Sequence, residues 1–467
     1  MSLWSCGWEN CGNPAAQRVG DCLLCDRHLC RTHRQEPWHQ CPKPEENWES
    51  YAAQYAAAEA RQIDELRRRI DPSKLCYRAS MLRGGISCTV ELSSKSLSAM
   101  MGGQNCHAEI TFQDNVEWLA RFRLTGTSSP PREVRDWILQ SEAATMIYLQ
   151  QHTSIPTPKI FDWAAESDSG NTLGVGYMLM EKLDGKSLDW QAATPEQKEK
   201  VMQQLTDIFL DIEKHPFEAM GSLVSPGDTI DVQGLAQQST FRVGAGPIGP
   251  LSSSLDGSQA MLKSYLAMIA SGEIDSPCPV DTYLIHRYRL DIIGDLWEDV
   301  PTGGQFFLKH ADDKGDHILI NDSFDIVGII DWEWTQTVSR EEAFCSPCMM
   351  WPVTKFYNGS NELSADEVRL AAIFRERNRE DLANCVMEGR RFQRFFFALG
   401  PESSFLDEEA FTHLFKGLQR AFTSQDEEWE QWKKKALEKW KDDKLALSLL
   451  YRESSIRCAQ GLYKDAT

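Results

Sequence analysis

The sequence predicts an α+β protein in which a small strand-rich segment precedes a longer, mostly helical one, with a compact Cys/His-rich module in front of both. Three observations lead to this prediction. Alternating or apolar runs occupy residues 86–92, 108–112 and 118–124, which is typical of short strands. Helical patterns cover much of the second half of the chain, at 194–217, 260–296, 338–400 and 406–459. Six of the 14 cysteines fall within the first 41 residues.

The totals describe an ordinary soluble composition with an acidic balance. The 467 residues suffice for two or three domains, with 42% hydrophobic and 25% charged residues. A formal net charge of −20 argues against broad binding to nucleic acid or to anionic membranes, since both need a basic surface. No apolar run approaches the roughly 20 residues of a membrane helix, and the first residues carry no basic-then-apolar signal. We therefore expect a protein of the cytoplasm, or of the nucleus, with neither a nucleic-acid nor a membrane partner.

Four successive pairs of soft ligands fill the amino-terminal module, which is enough for two tetrahedral zinc sites. These ligands are Cys6, Cys11, Cys22, Cys25, Cys30, His33, His39 and Cys41. A disulfide framework is the alternative, but a reducing compartment favours metal. The spacing resembles the AN-one-type zinc finger, which implies a cross-brace. In that arrangement one zinc takes Cys6, Cys11, Cys30 and His33, and the other takes Cys22, Cys25, His39 and Cys41. Two zinc ions would supply the folding energy of so small a module, and we expect a protein-binding role for it.

Residues 45–70 change to Ala, Glu, Gln and Arg and end at Asp71-Pro72, a pattern that predicts a long helix. We interpret it as a spacer, because its apolar positions are mostly alanine; a coiled-coil role is the alternative. A Gly/Pro/Ser-rich stretch within 221–254 predicts a loop that either covers a substrate site or only connects. Cys345 and Cys348 have the spacing of a metal knuckle but no second pair, so we interpret them as structural thiols.

Residues 306–334 hold the strongest chemical signal. An apolar run, a charged turn and two short β-branched runs predict a loop followed by a hairpin. Asp312 lies on the loop and Asp331 at the end of the second strand. Such a pair of carboxylates suits phosphoryl transfer, in which one positions or deprotonates the attacking hydroxyl and the other holds magnesium on the nucleotide. The alternative is a surface hairpin with solubilising acidic residues.

This stretch resembles the catalytic and metal-binding loops of the aminoglycoside phosphotransferase family, within the protein-kinase-like superfamily. The shared pattern is His310-x-Asp312, position 317, and then Ile-Asp-Trp-Glu at 330–333. The resemblance implies that Asp312 is the catalytic base and that Lys314 neutralises the transferred phosphoryl group.

The resemblance also implies that Asp331 is the principal magnesium ligand. His317 stands where the family has asparagine, and imidazole is a poor ligand for so hard a cation. Asp316 could supply a carboxylate instead.

The resemblance extends to the smaller lobe, where it implies an ATP site. It places Arg121 as the cation on the α- and β-phosphates, with Glu142 as its partner. Gly84 and Gly85 would cover the phosphates, although a Gly-Gly pair is also an ordinary turn. Further residues of the implied nucleotide site are Glu181 and Leu183, at the hinge where adenine bonds to main-chain groups.

The sequence and the resemblance together imply a bilobal protein-kinase-like fold, with a small antiparallel β lobe and a larger helical lobe, preceded by the two-zinc finger. The predicted divisions are a finger at 1–44, a helical linker at 45–74, a small lobe with hinge at 75–183, a large lobe at 184–460 and a tail at 461–467. The implied activity is ATP-dependent transfer of the γ-phosphate to a hydroxyl of an unidentified small molecule. Two alternatives stay open: a catalytically impaired pseudokinase acting as a scaffold, and a function that resides in the finger.

Overall fold

The computed structural model describes residues 2–99, 101–127, 129–225, 227, 229–298, 304–396, 408–423 and 427–451, and omits the side chains of positions 408 and 410. The predicted tail at 461–467 and the last residues predicted for the large lobe, 452–460, lie outside the described residues.

The amino-terminal module has little regular structure. Its two short strands, β1 (Asp21–Cys22) and β2 (Arg27–His28), form an antiparallel pair. The apolar cluster buried within the module itself consists of Cys6, Leu29 and Cys30. Three residues make a very small core, so the fold of this module depends on its cysteine and histidine side chains.

Two helices follow, α1 (Trp48–Arg69) and α2 (Pro72–Leu82). Asn47 caps the first helix by accepting from Ser50 N, and Asp71 caps the second, with proline in its first turn. Helix α1 is not an isolated spacer, because Ile63 and Leu66 are buried in the same core as the sheet behind it. The predicted linker is therefore packed against the smaller lobe.

The smaller lobe is an antiparallel five-stranded sheet. Its elements are β3 (Cys88–Val90), α3 (Ser94–Ala99), β4 (Asn105–Phe112), β5 (Glu117–Arg123), α4 (Arg132–His152), β6 (Ile160–Ala164) and β7 (Tyr177–Glu181). The strand order is β3-β4-β5-β7-β6. On β4 every second residue is buried, from Cys106 to Phe112, so one face of this strand packs against the helical layer. Between β5 and β6 the chain forms α4, the helix that carries Glu142.

The larger lobe is mostly helical, with short strands that hold its loops. Its elements are β8 (Lys186–Ser187), α5 (Pro195–Glu213), β9 (Ser222–Val224), β10 (Asp231–Gln233), β11 (Phe241–Arg242), β12 (Gly246–Pro247), α6 (Ser254–Ser271), α7 (Pro279–Trp297), β13 (Phe306–Lys309), β14 (Ile318–Ile320), β15 (Ile326–Ile329), β16 (Gln336–Ser339), α8 (Arg340–Ala343), α9 (Val353–Tyr357), α10 (Ala365–Glu376), α11 (Glu380–Glu388), α12 (Arg390–Phe396), α13 (Glu408–Phe422) and α14 (Trp429–Lys439). Two 3₁₀ turns cover Gln238–Thr240 and Cys348–Met350.

Two strand pairs position the loop that carries Asp312. Strand β13 pairs with β16, and β14 pairs with β15 and β8, so residues 310–317 connect two small sheets. Trp332 and Phe344 are fully buried beneath them, in the core shared with α5, α10 and α11. The loop is therefore held by a packed core on one side and is free to face a cleft on the other.

The predicted α+β fold with a small antiparallel β lobe and a larger helical lobe is confirmed. In the part of the chain that the structure describes, no helix combines the length and the apolar character needed to span a membrane.

Candidate active site

His310 fixes the loop between β13 and β14. Its Nε2 lies 2.9 Å from the carbonyl oxygen of Ile330, and its Nδ1 accepts from the Asp312 amide at 3.2 Å. The ring also meets Trp332 edge-on, with the centroids 5.0 Å apart. The imidazole thus donates to Ile330, which precedes Asp331, and accepts from the main chain of Asp312. It therefore couples the positions of Asp312 and Asp331.

Asp312 and Lys314 lie together on this loop. Lys314 Nζ contacts Asp312 Oδ2 at 2.9 Å, and the hydrogen bond to that carboxylate raises the pKa of Lys314. Both side chains line a cavity of about 1170 Å³. A carboxylate at the edge of a cavity, with an exposed cation beside it, is the arrangement that transfer of a phosphoryl group to a hydroxyl needs.

Asp331 follows β15 in a left-handed backbone conformation, with φ of +62°. That conformation is uncommon outside glycine, although Asp and Asn tolerate it better than most residues. The next side chain, Trp332, is buried and donates its indole N–H to Ile329 O at 3.0 Å. Trp332 therefore anchors the turn, while the Asp331 side chain stays 51% exposed.

Arg121 joins the two lobes. It is buried on β5, where its Nη1 donates to Glu142 Oε1 and its Nη2 contacts Asp331 Oδ1 at 3.2 Å and Glu333 Oε2 at 3.0 Å. Burial alone would lower the pKa of Arg121, but these carboxylates raise it, so the guanidinium stays charged. Burial raises the pKa of Glu142, and Arg121 opposes that effect. The structure thus brings together the predicted cation, its predicted partner and the predicted magnesium ligand.

Arg123 and Glu333 extend this ion-pair network, and no role was predicted for them. Arg123 Nη1 donates to Glu333 Oε1, while Asn105 Nδ2 donates to Glu333 Oε2 at 3.1 Å. Although Glu333 is buried, Arg123 and Arg121 lower its pKa. The fourth residue of the Ile-Asp-Trp-Glu motif is therefore a structural anchor between the lobes. Its position in the motif was a visible signal for such a role.

Gly84 and Gly85 do not lie between two strands. Both have positive φ, +67° and +94°, and they follow the end of α2, where Gly85 N donates to Ser80 O at 2.9 Å. They form a helix C-terminal cap. The connection between the first two strands of the sheet is instead 91–104, which contains Gly102 and Gly103. Met100 within it lies outside the described residues.

Glu181 and Leu183 lie where the sheet passes into the larger lobe. Glu181 N donates to Lys159 O at 2.8 Å and its carboxylate accepts from Lys159 N at 3.2 Å, so this side chain is committed to the neighbouring strand. Leu183 lies against Gly328, where an added Cβ would come within 2.5 Å of Leu183 Cδ1. Both side chains are therefore occupied by contacts within the protein.

His317 is buried and stacks on His310, with ring centroids 4.2 Å apart. Burial lowers the pKa of His317 to about 2, with smaller contributions from His310 and Lys314, so its imidazole is neutral. Its Nδ1 has no hydrogen-bond partner in the described part of the chain. Asp316 is exposed on the same loop. Among the described residues, Asp316, His317 and Asp331 do not form a group of three ligands within 4.8 Å of one another.

This chemistry suits magnesium at Asp331 better than at His317. Magnesium is usually held by one or two carboxylates together with the substrate phosphates, so a preformed cage is not required. The exposed carboxylate of Asp331 fits that pattern, whereas a neutral imidazole does not fit a hard cation.

The amino-terminal module gathers its ligands into two groups. Cys6, Cys11, Cys30 and His33 have ligand atoms within 4.8 Å of one another, as do Cys22, Cys25, His39 and Cys41. Tetrahedral zinc with ordinary bond lengths puts neighbouring ligand atoms about 3.6 to 3.8 Å apart. The observed separations include 3.4 Å for Cys6 Sγ to His33 Nδ1 and 3.7 Å for Cys25 Sγ to His39 Nε2. Both groups therefore fit a zinc ion.

A buried carboxylate beside the loop at 310–317, Glu342, leads to a prediction about the pH dependence of stability. Glu342 on α8 lines the cavity together with Lys309, and burial raises the pKa of Glu342 to about 7 despite the opposing charge of Lys309. A carboxyl with a raised pKa in the folded chain binds its proton more tightly there than in the unfolded chain. Its contribution to stability is present at low pH and is lost as the pH rises from about 4.5 to about 7.

We therefore expect Glu342→Gln to raise the free energy of unfolding by about 1–3 kcal/mol at pH 8 and to change it little at pH 4.5. Urea unfolding at the two pH values measures this. Glu362→Gln, at an exposed position, is the control and should give no such difference. Equal effects of Glu342→Gln at both pH values would contradict the prediction.

Comparison with known proteins gives one match to a family model. Residues 117–336 match the model of the phosphotransferase enzyme family, APH. A subtelomeric hrmA-associated cluster protein of Aspergillus fumigatus is 33% identical over 90 residues, which are 19% of this chain and 17% of that protein. The chain thus spans less than a fifth of that curated relative's length.

Two solved structures align over much of the chain at low identity. The ethanolamine kinase of Plasmodium vivax is 12% identical, with 72% of this chain and 79% of that one covered and a TM-score of 0.39. The ADP-bound aminoglycoside phosphotransferase APH(2'')-Ib is 9% identical, and the alignment covers 69% of this chain and 92% of that one, with a TM-score of 0.41. The segment 117–336, which contains Arg121, Glu142 and both loop aspartates, is therefore the part of this chain that is similar to the phosphotransferase enzyme family.

Proposed function

We propose that the protein transfers the γ-phosphate of magnesium-bound ATP to a hydroxyl group of a small molecule. The observation that carries this proposal is the contact of Arg121 with both Glu142 and Asp331. It places a permanently charged guanidinium beside the candidate metal ligand, where the phosphates of a nucleotide need charge neutralisation. The family match over 117–336 supports the same reaction.

Each residue has a distinct role in this proposal. Asp331 would hold magnesium, which would neutralise charge on the nucleotide phosphates. Arg121 contacts the α- and β-phosphates and is held in place by Glu142. Asp312 orients the acceptor hydroxyl and takes its proton, while Lys314 neutralises the phosphoryl group in transit.

Thermal unfolding of the full chain with ATP, with and without magnesium, tests the nucleotide site. At a hundredfold excess over Kd, ATP with magnesium should stabilise the folded chain by about 2.7 kcal/mol. Asp331→Asn should abolish most of this effect while leaving the unliganded chain intact, since asparagine also tolerates the left-handed conformation of this residue. Asp322→Asn, on the exposed hairpin turn, is the control. Stabilisation by ATP that needs neither magnesium nor Asp331 would overturn the assignment of Asp331.

A nucleotide-binding scaffold without catalysis is the second candidate, and His317 is the observation that favours it. A neutral, buried imidazole at this position cannot replace a side-chain oxygen on magnesium. The two candidates differ in turnover. Isotopically labelled ATP, offered with a panel of amino alcohols, sugars and amino-acid derivatives, should give a phosphorylated product if the chain is an enzyme. Stabilisation by ATP and magnesium with neither product nor hydrolysis would favour the scaffold.

A further inference from the structure

The large cavity beside the loop at 310–317 is lined by residues of both lobes and of the amino-terminal finger. Asp312 and Lys314 of the loop are among its lining residues, and so are Gln17, Leu24 and Arg34 of the finger. Its volume of about 1170 Å³ is somewhat larger than that of usual small-molecule sites, which is about 300–1,000 Å³. The finger therefore lines the same cavity as Asp312, the candidate base.

Two arginines of the finger hold a buried carboxylate of the larger lobe. Arg34 Nε donates to Asp275 Oδ2 at 2.8 Å, and Arg31 Nη1 lies 3.4 Å from Asp275 Oδ1. The Asp275 side chain is only 1% exposed. Removing the partners of a buried charge is strongly destabilising, so this contact favours the position of the finger seen here.

Further contacts fix the same position. Gln17 N donates to Glu273 O at 2.8 Å, and its side-chain amide donates to Glu273 Oε2 at 3.3 Å. Thr127 of the smaller lobe donates its hydroxyl to Asp26 Oδ1. Leu3 packs in an apolar cluster with Ile138 of α4 and with Phe241. The finger thus contacts both lobes through polar and apolar groups.

We propose that the zinc finger is a fixed wall of the acceptor cavity and limits the size of the molecules that reach Asp312. The inference rests on the proposed function only in naming the occupant as a phosphate acceptor. In this position the ligand-bearing loops of the finger face the cavity, since Cys22, His39 and Cys41 are among the lining residues. The finger then serves the catalytic site directly, in addition to any partner that it binds.

One amide reports on the seating of the finger. The Gln17 N–H crosses the interface, whereas the N–H groups of Gly20 and Leu29 donate within the finger, to Ala16 O and Gly20 O. In the double variant Arg31→Ala/Arg34→Ala, hydrogen exchange at Gln17 should accelerate at least about tenfold, while Gly20 and Leu29 keep their protection. Fragmentation mass spectrometry after exchange resolves these amides, and zinc content is measured in parallel.

A matched double variant is available at helix α10 of the larger lobe, where Arg369 lies on the helix and Arg377 follows its last residue. Arg369 and Arg377 are 35% and 32% exposed and pair with acidic residues, much as Arg34 and Arg31 are 36% and 30% exposed. Arg369→Ala/Arg377→Ala should leave exchange at Gln17 unchanged. Asp275→Asn weakens the same contact from the larger lobe, without a substitution beside a zinc ligand in the sequence. It should accelerate exchange at Gln17 as Arg31→Ala/Arg34→Ala does.

Access to the cavity is measured with a cysteine at position 311, next to Asp312. Ala311→Cys is labelled with N-ethylmaleimide and with a maleimide on a long polyethylene glycol chain, and the peptide is quantified by mass spectrometry. The ratio of the labelling rate of the large reagent to that of the small reagent should rise about tenfold or more when the contact of Arg31 and Arg34 with Asp275 is broken. The variants that break it are Arg31→Ala/Arg34→Ala and Asp275→Asn. The ratio should stay at the starting value in the Arg369→Ala/Arg377→Ala background.

Either of two results would overturn the proposal. One is unchanged hydrogen exchange at Gln17 in both Arg31→Ala/Arg34→Ala and Asp275→Asn, which would mean that the contact with Asp275 does not hold the finger. The other is faster exchange at Gln17 with an unchanged labelling ratio, which would mean that releasing the finger does not open the cavity. Neither measurement uses nucleotide, so failure of the proposed phosphotransfer appears separately, as a lack of stabilisation by ATP and magnesium.

Discussion

Replacing Asp312 by asparagine is expected to lower the rate of phosphoryl transfer by about 10²- to 10⁴-fold, the usual contribution of a positioned general base. Asparagine keeps the shape of the side chain, and the amide that donates to His310 Nδ1 belongs to the main chain, so the loop should stay in place. Stabilisation by ATP and magnesium should therefore persist. The measurement is steady-state turnover of the best acceptor from the panel, alongside thermal unfolding with nucleotide.

The matched control for this variant is Asp322→Asn, an equally small change on the exposed turn of the hairpin that follows the loop. It should leave kcat and KM unchanged. A loss of kcat in Asp312→Asn that is accompanied by loss of nucleotide binding would point to a structural role for Asp312 instead. An unchanged kcat would remove Asp312 from the reaction altogether.

Local spacing made the loop and the finger predictable. The interval from His310 to Asp312, and then to Asp331 and Trp332, is set by one loop and one hairpin, so the motif specifies its own geometry. The two ligand groups of the finger are likewise contained within 41 residues. In both cases the residues that matter are brought together by a short stretch of chain, whose turns can be recognised in the sequence.

The errors arose where the relevant contact depends on distant parts of the chain. Gly84 and Gly85 were assigned to cover the phosphates because the resemblance places such glycines between the first strands, but helix α2 precedes them and they end that helix. The connection with Gly102 and Gly103 becomes a candidate only once the pairing of β3 with β4 is known.

The same reason explains why the position of the finger was not foreseen. Arg34 and Asp275 are 241 positions apart, and nothing in the composition of either segment indicates that they meet. The finger was interpreted as a protein-binding module, with no contact to the rest of the chain foreseen. The structure shows that two of its arginines, Arg31 and Arg34, pair with the Asp275 carboxylate buried in the larger lobe.

Zinc should be required for the finger to fold at all, and its removal is expected to have the largest effect on stability. Structural zinc contributes about 10–16 kcal/mol of apparent binding free energy in finger peptides, far more than the three-residue apolar cluster within this module can supply. Each chain should bind two zinc ions, one for each ligand group. Cys11→Ser should reduce the content to about one and remove the protection of the Gly20 amide.

Cys348→Ser is the control, since Cys345 and Cys348 repeat the spacing of Cys22 and Cys25 but bind no metal in this interpretation. Zinc content by elemental analysis and hydrogen exchange of the full chain measure the two effects. Because Gln17 connects the finger to the larger lobe, loss of zinc should also release the Gln17 amide, so that chelation reproduces the opening caused by breaking the Asp275 contact. A chain stripped of zinc in which Gly20 remains protected would contradict this, and would mean that packing against the two lobes alone holds the finger in its fold.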